Sequence, residues 1–280
     1  MIDLLKHELQ IRFVAMLGWG IGLALYCVLY IGIYPQVSEQ MGAAMATLDD
    51  LPIYRVVGME MASFEGFMAS VLVQFIPILL AIYAIMTSTA TLAGEDDRGT
   101  LELLVTMPLK RWQIVTMKAA ALAIACFIIL AIAGLGSVIG VMGVRNSIAT
   151  DVTGTQAYIA ILSAWPITFA LLMIGLFWSA CSPNRLTASV ATTIVLLSSY
   201  FGETLAGMVK ALEAIKPFSL FTYFDSSAAL FSKGVQAGDV GVLLGVAAFF
   251  FILALLSFER RDITVGQWPW QRAKARHALK

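Results

Sequence analysis

Long stretches without charged residues most constrain what this chain can fold into. Six intervals contain no Asp, Glu, Lys or Arg: 13–38, 66–94, 119–144, 152–184, 186–202 and 240–258. A membrane-spanning helix needs about 20 predominantly apolar residues. Four intervals exceed that length, the last has 19 residues, and the fifth has 17 and is marginal. We therefore predict an all-α integral membrane protein with six transmembrane helices, near 14–34, 68–93, 119–143, 157–181, 186–202 and 240–258.

The composition excludes a water-soluble enzyme with a single core. Charged residues make up 13% of the 280 residues, about half of the ~25% that soluble domains carry. The 18 basic and 18 acidic residues balance, which excludes a nucleic-acid-binding protein that works through bulk positive charge. Cys27, Cys126 and Cys181 are far apart and form no CxxC pair, so they predict neither a disulfide framework nor a zinc site.

The distribution of Lys and Arg predicts the orientation of the spans. With six spans both termini lie on one side, and that side receives 13 basic residues against five on the other. We therefore expect a multi-pass protein of the inner (plasma) membrane with both termini in the cytoplasm. The link at 182–185 then forms a tight cytoplasmic turn between spans four and five. Residues 259–280 form a cytoplasmic tail.

The N-terminal segment 1–13 has an amphipathic pattern. Its apolar side chains recur every three or four residues, at Ile2, Leu5, Leu9 and Phe13. Polar and charged residues fill the other faces, which suits a helix lying on the inner membrane surface. We predict an amphipathic elbow helix there that turns into span one, with a solvated tail as the alternative.

The loop at 203–239 is the second amphipathic segment. Apolar residues with helical spacing occur in its first part, at Leu205, Val209, Leu212 and Ile215. Aromatic residues then follow between Phe218 and Phe224, and aromatic side chains are enriched at the headgroup level. We predict an outer re-entrant or interfacial segment between spans five and six, and the alternative is a soluble outer loop.

The predicted spans lack the reactive groups that intramembrane enzymes need. His7 and His277 lie in the terminal segments, and no Asp or Glu falls inside the six intervals. These facts exclude an HExxH zinc site, a serine–histidine dyad and a paired-aspartate protease within the spans. The chain has no GxxxxGK[ST] phosphate loop for ATP hydrolysis. We expect no catalytic site, metal or cofactor in this chain.

The link between spans two and three, residues 95–118, holds the most informative pattern. It opens with charged residues, continues with an apolar stripe and is interrupted by Pro108. The charged residues are Glu95, Asp96, Asp97 and Arg98, and the stripe is Leu101, Leu104 and Val105. A short helix with one apolar stripe can bind in a groove of a soluble partner. From the residues alone, an ordinary interfacial connector is as good an interpretation as a helix that binds a partner.

This link resembles that of the permease subunits of type-2 ABC exporters. In that family a Glu closes span two, a G-[ST]-L-E-x-L-L-x-x-P stretch follows, and a Lys precedes span three. The corresponding residues here are Glu95, the stretch from Gly99 to Pro108, and Lys118. The layout of elbow helix, six spans and outer re-entrant segment is also similar. The acidic pair at Asp96 and Asp97 departs from the family pattern.

The resemblance implies a division of labour between subunits. Two permease chains, identical or related, would form the pathway in the lipid, and separate ATPase subunits would dock on the cytoplasmic face and bind ATP and Mg²⁺. Their closure would push a cytoplasmic coupling helix in the link. Thr100 and Leu101 would seat in the partner groove, and neighbouring charges would set the polar register. The implied coupling surface is Glu95, Asp97, Arg98, Gly99, Thr100, Leu101, Glu102 and Leu104.

Two other classes of function stay open at this stage. A membrane scaffold or sensor subunit could use the same link to hold a soluble partner. An ion-coupled carrier needs a buried charge, and Glu203 at the outer end of span five is the best candidate. The residues of the spans do not show which class of substrate would be transported: drugs, peptides, lipids or glycans.

Overall fold

The computed structural model describes residues 2–49, 63–100, 110–148, 150–182, 184–227 and 229–260. Over these residues the secondary structure is helical, without strands. The α-helices are α1 (Ile2–Asp49), α2 (Phe64–Ala90), α3 (Ala93–Asp97), α4 (Arg111–Val144), α5 (Gly154–Leu162), α6 (Trp165–Cys181), α7 (Arg185–Met208), α8 (Ala229–Lys233) and α9 (Ala237–Arg260). Two 3₁₀ helices, Lys210–Phe218 and Leu220–Tyr223, lie between α7 and α8.

Five helical segments of the described chain are long and apolar enough to cross a membrane. They are Asp3–Gln40, Phe64–Ala90, Arg111–Val144, Gly154–Cys181 and Ala237–Arg260. The prediction of an all-α, multi-span chain is confirmed to this extent. The fourth segment consists of α5 and α6 with a turn at 163–164, and the second contains a π-helical stretch at Met68–Val73.

Helix α7, which holds the predicted fifth span, is not among the five segments. It has 24 residues, about 36 Å at 1.5 Å per residue, so its length suffices. Seven of its residues are Ser or Thr, and these hydroxyl side chains lower its hydropathy. The count of six spans therefore remains a prediction.

The N-terminal segment does not form a separate elbow helix. Helix α1 is continuous from Ile2 to Asp49, with Pro35 its one proline. An ion pair between Arg12 and Glu8, spaced i and i+4, supports the helix just before the predicted junction at residues 13 and 14. No helix-breaking residue stands at this junction, so the backbone hydrogen bonds continue into the apolar stretch.

The outer segment also differs in detail from the predicted pattern. Helix α7 continues to Met208 and thus includes Leu205, and the following turn is 3₁₀-helical. The residues with helical spacing are therefore divided between two elements. Ile215 and Phe218 are exposed, in keeping with an interfacial segment, but a re-entrant path is not confirmed.

Close packing between α1 and α4 depends on glycines of α4. A Cβ atom at Gly136 would lie 2.5 Å from the backbone of Ala24, and one at Gly140 would lie 2.9 Å from Ile31. Without side chains at these positions the two helix backbones approach closely, as at other helix contacts in membranes. A Cβ atom added at Gly18 or Gly22 of α1, in contrast, would have no other described residue within 4 Å.

Helix α7 turns its hydroxyl side toward the protein. Thr192 and Ser199 are buried, and the Ser189 hydroxyl lies 3.0 Å from that of Thr89 in α2. Five of its large apolar side chains on the opposite side are exposed: Leu186, Val190, Ile194, Leu197 and Phe201. A soluble bundle would show the reverse arrangement. The outward apolar face indicates that lipid or another apolar surface covers α7.

We expect Gly136→Ala to destabilise the protein by about 1–3 kcal/mol, because the added methyl group meets backbone that must move. Gly143→Ala is the matched control on the same helix, since a Cβ atom there meets no described neighbour within 4 Å. Thermal unfolding of both variants in detergent measures the difference. Equal melting temperatures would contradict the close packing of α1 on α4.

Candidate functional site

Charged side chains from three helices meet at one end of the bundle. We call Glu8, Arg12, Glu95 and Lys118 the charge cluster. The link between the second and third predicted spans, residues 95–118, is called the linker below, and this end of the bundle the linker end. The Lys118 side chain is fully buried, and its Nζ donates to Oε1 of Glu8 and to Oε1 of Glu95, both at 2.6 Å. One ammonium group thus joins α4 to α1 and to α3.

Arg12 completes the charge cluster from the first helix. Its guanidinium donates to Oε2 of Glu8 at 3.0 Å and to the Thr91 hydroxyl at 3.3 Å. Two carboxylates and two cations balance, which the apolar surroundings require. Removing one member would leave a buried charge without a counterion, so the four side chains stabilise each other's positions.

Some hydrogen-bonding capacity of the charge cluster is unused within the described residues. Nε of Arg12 and Oε2 of Glu95 are buried and have no hydrogen-bond partner there. Burial raises the pKa of the Glu95 carboxyl, and the Lys118 ammonium counteracts part of that rise. Buried polar atoms are normally paired, so Nε of Arg12 can donate and Oε2 of Glu95 can accept one further hydrogen bond.

The start of the linker is also fixed on its other side, against α6 and α7. The buried Ser179 hydroxyl accepts from the backbone N–H groups of Leu92 and Ala93, at 3.1 and 2.9 Å. Oδ2 of Asp97 accepts from the backbone N–H of Arg185 at 2.9 Å. Helix α3 therefore connects the charge cluster on one side with the end of α6 and the beginning of α7 on the other.

The predicted coupling residues fall into two groups. Glu95 lies in the charge cluster, whereas Asp97, Arg98, Gly99 and Thr100 are exposed. Helix α3 ends at this point, because Gly99 adopts a left-handed φ of 69° that glycine tolerates well. The other predicted coupling residues, Leu101, Glu102 and Leu104, lie outside the described residues. The structure thus brings one of the eight into the cluster and leaves four beside it at the surface.

The sequence pattern did not identify two members of the charge cluster. Glu8 and Arg12 belong to the polar face of the predicted elbow helix, where a solvated position is expected. Their i, i+4 spacing and opposite charge are visible in the sequence, but such pairs are common on helix surfaces. The lone Lys118 before a long apolar stretch was the better signal, because an unpaired ammonium there needs a counterion.

An open groove of about 540 Å³ lies between α1 and α2. Its walls are mainly apolar and are formed by Ala15, Gly18, Trp19, Gly22, Leu23, Tyr26 and Leu79. The Tyr26 hydroxyl is engaged, because it donates to the carbonyl oxygen of Val71 at 2.6 Å. Within the described residues, no group of three or more His, Cys, Asp or Glu is placed to hold a metal ion.

Comparison with known proteins relates this chain to a transporter family and to a bacterial membrane protein. A family model described as ABC-2 family transporter protein matches residues 2–263. A curated protein, the uncharacterized membrane protein YdbK of Bacillus subtilis (strain 168), is 26% identical over 200 residues. That alignment covers 67% of this chain and 79% of the relative.

We expect Lys118→Met to lower the free energy of unfolding by about 3–5 kcal/mol, because the buried Glu8 carboxylate and the partly buried Glu95 carboxylate lose their shared counterion. Lys110→Met is the control, since Lys110 is exposed just before the same helix. Thermal unfolding in detergent compares the two variants. A Lys118→Met protein as stable as Lys110→Met would show that the charge cluster is not buried as described.

Proposed function

The chain belongs to the ABC-2 transporter family, whose model matches nearly its whole length, and from that premise we propose that it is the permease subunit of an ATP-driven exporter. In this proposal it forms the translocation pathway and is driven by a separate ATPase subunit. The observation that carries the coupling is the charge cluster at the start of the linker. Family membership accounts for a membrane transport component without a catalytic site of its own.

The charge cluster supports a mechanical role for the linker. Glu95 is four residues upstream of Gly99, where the linker leaves α3. Through Lys118 it is joined to α4 and, through the same ammonium group, to Glu8 of α1. Charge interactions are stronger in buried, poorly solvated surroundings than at the surface. A displacement of the linker would thus move α1 and α4 instead of being absorbed by loose side chains.

The proposed docking surface for the ATPase begins where α3 ends. Asp97, Arg98 and Thr100 are exposed there and available to a partner. We propose that Leu101, Glu102 and Leu104 continue this surface as a short coupling helix with an apolar stripe. ATP and Mg²⁺ would be bound by the partner subunit, and this chain would supply neither ligands nor catalytic groups for them.

We propose that the linker end faces the cytoplasm and that α7 is the fifth of six spans of a chain in the inner (plasma) membrane. The excess of Lys and Arg expected on the side of both termini supports this orientation. The exposed apolar face of α7 supports its placement in lipid, although its hydroxyl side lowers its mean hydropathy. The open face of Gly18 and Gly22 is available to a second permease, identical or related.

A scaffold or sensor role would use the same linker and is distinguished by its partner, which would lack ATPase activity.

An ion-coupled carrier needs titratable groups along a path through the membrane. The charge cluster does not provide such a path, because it is electrically balanced and lies at one end of the helices. Glu203 is half-buried near the last turn of α7, far along the chain from the cluster.

We expect Leu101→Asp to reduce co-purification of the ATP-binding subunit about tenfold, the effect of losing ~1.4 kcal/mol at a docking contact. The reason is that a carboxylate replaces an apolar side chain in the partner groove. Leu101→Met, which keeps the apolar character, is the matched control. The melting temperature of the permease should be the same for both. Undiminished co-purification of the Leu101→Asp protein would remove the docking assignment.

We also expect the purified chain alone to hydrolyse no ATP, and the co-purified complex to hydrolyse it. Release of phosphate from both preparations measures this directly. Substitution of the phosphate-loop lysine in the partner should abolish hydrolysis by the complex. Activity that persists in the chain alone would contradict its role as a purely membrane-spanning subunit.

A further inference from the structure

The linker has a second mechanical connection, which is separate from the charge cluster. On the basis of the proposed function, we propose that Asp97 is a positioning residue that attaches the linker to α7, and that α7 carries linker movement to the 3₁₀ segment at its far end. This segment, Lys210–Phe218 followed by Leu220–Tyr223, is called the far segment below. Two hydrogen-bonded contacts of α7, one at its N-terminus and one in its C-terminal half, carry the inference.

The first contact is at the N-terminus of α7. The N–H groups of a first helical turn have no partner within the helix. The Asn184 side chain accepts from the N–H of Thr187 at 2.8 Å, which leaves the N–H of Arg185 for another acceptor. Oδ2 of Asp97 accepts from it at 2.9 Å. A carboxylate is also favoured there by the helix dipole, so Asp97 holds the backbone of α7 itself.

Two further contacts fix the beginning of α7 to the end of α2. The Arg185 guanidinium donates to the carbonyl oxygen of Met86 at 3.1 Å. One turn later the hydroxyl of Ser189 lies 3.0 Å from that of Thr89. The first turns of α7 therefore follow the end of α2 and the linker that leaves it, and Asp97 supplies the contact nearest to the linker surface.

The second contact joins the other half of α7 to the far segment. The backbone N–H of Leu220 donates to the Ser199 hydroxyl at 2.7 Å, and the Ser219 hydroxyl donates to the carbonyl oxygen of Ser199 at 2.7 Å. Ser199 and Ser219 are both buried. The rings of Tyr200 and Phe221 are also in edge contact, with centroids 5.3 Å apart.

The helix between these two contacts is suited to transmit movement. From Arg185 to Ser199 it contains neither Pro nor Gly, the residues at which helices most often bend. The two residues are 14 positions apart, which corresponds to a rise of about 21 Å. A displacement of Asp97 would thus shift the Ser199 end of an unbroken helix, and the far segment with it.

Hydrogen exchange of the purified chain in lipid nanodiscs tests this connection without any ATPase present. In Asp97→Ala we expect exchange at the backbone amides of residues 219–224 to increase about fivefold, the lower range of coupling between distant sites. Asp97→Asn keeps a side-chain oxygen that can accept from Arg185, so its exchange should stay close to that of the wild type. Asp3→Ala is the control, because it removes an exposed carboxylate from α1.

Coupling between two sites is reciprocal, and this gives a second measurement. Ser199→Ala should increase exchange at the linker amides of residues 96–100 by a similar factor, with α4 amides unchanged. Effects confined to the substituted end in both variants would overturn the role of α7. Failure of the ATP-binding subunit to co-purify would instead overturn the proposed function, so the two failures are distinguishable.

Discussion

The buried ammonium group of Lys118 is the interaction on which the arrangement of the linker end depends. An isolated charge in apolar surroundings is too costly to keep, so a fully buried lysine needs counterions. Glu8 and Glu95 supply them at 2.6 Å from helices that are far apart in the sequence. Three helical elements must therefore converge at one point. The position of α3, and hence the place where the linker leaves the bundle, follows from this convergence.

The linker is connected to the bundle by two kinds of contact. The charge cluster joins Glu95 to α1 and α4 through side-chain charges that balance one another. Asp97 contacts a backbone N–H at the beginning of α7 and thus holds the helix end directly. In the proposed function, a displacement of the linker would reach α1 and α4 through the charge cluster and α7 through Asp97. The glycine packing of α1 on α4 would then make those two helices move together.

The membrane-spanning segments were predictable from the sequence, whereas the contacts between them were not. Helix α9 agrees with its predicted span to within three residues at each end. Helix α4 ends within one residue of its prediction but begins eight residues earlier. This agreement is expected, because a long apolar stretch in a membrane can adopt few structures other than a helix. The span in α7 was marginal because its charge-free interval has 17 residues, and the hydroxyl side chains of α7 lower its hydropathy further. A separate elbow helix is not confirmed, since α1 is continuous, and amphipathic spacing alone does not show where a helix bends. The burial of Glu8 and the partial burial of Arg12 are tertiary effects without a specific local pattern.

The most direct test of the account asks whether the linker and α1 move as one unit. Spin labels at Arg98→Cys and Phe13→Cys, both exposed positions, report their separation by pulsed EPR in a Cys181→Ser background. The sample is the complex with the proposed ATP-binding subunit, after ATP hydrolysis by the labelled complex has been verified. The account predicts the same distance with and without trapped nucleotide, and a nucleotide-dependent change once Lys118→Met is added. A distance that already changes in the protein with Lys118 intact would contradict it.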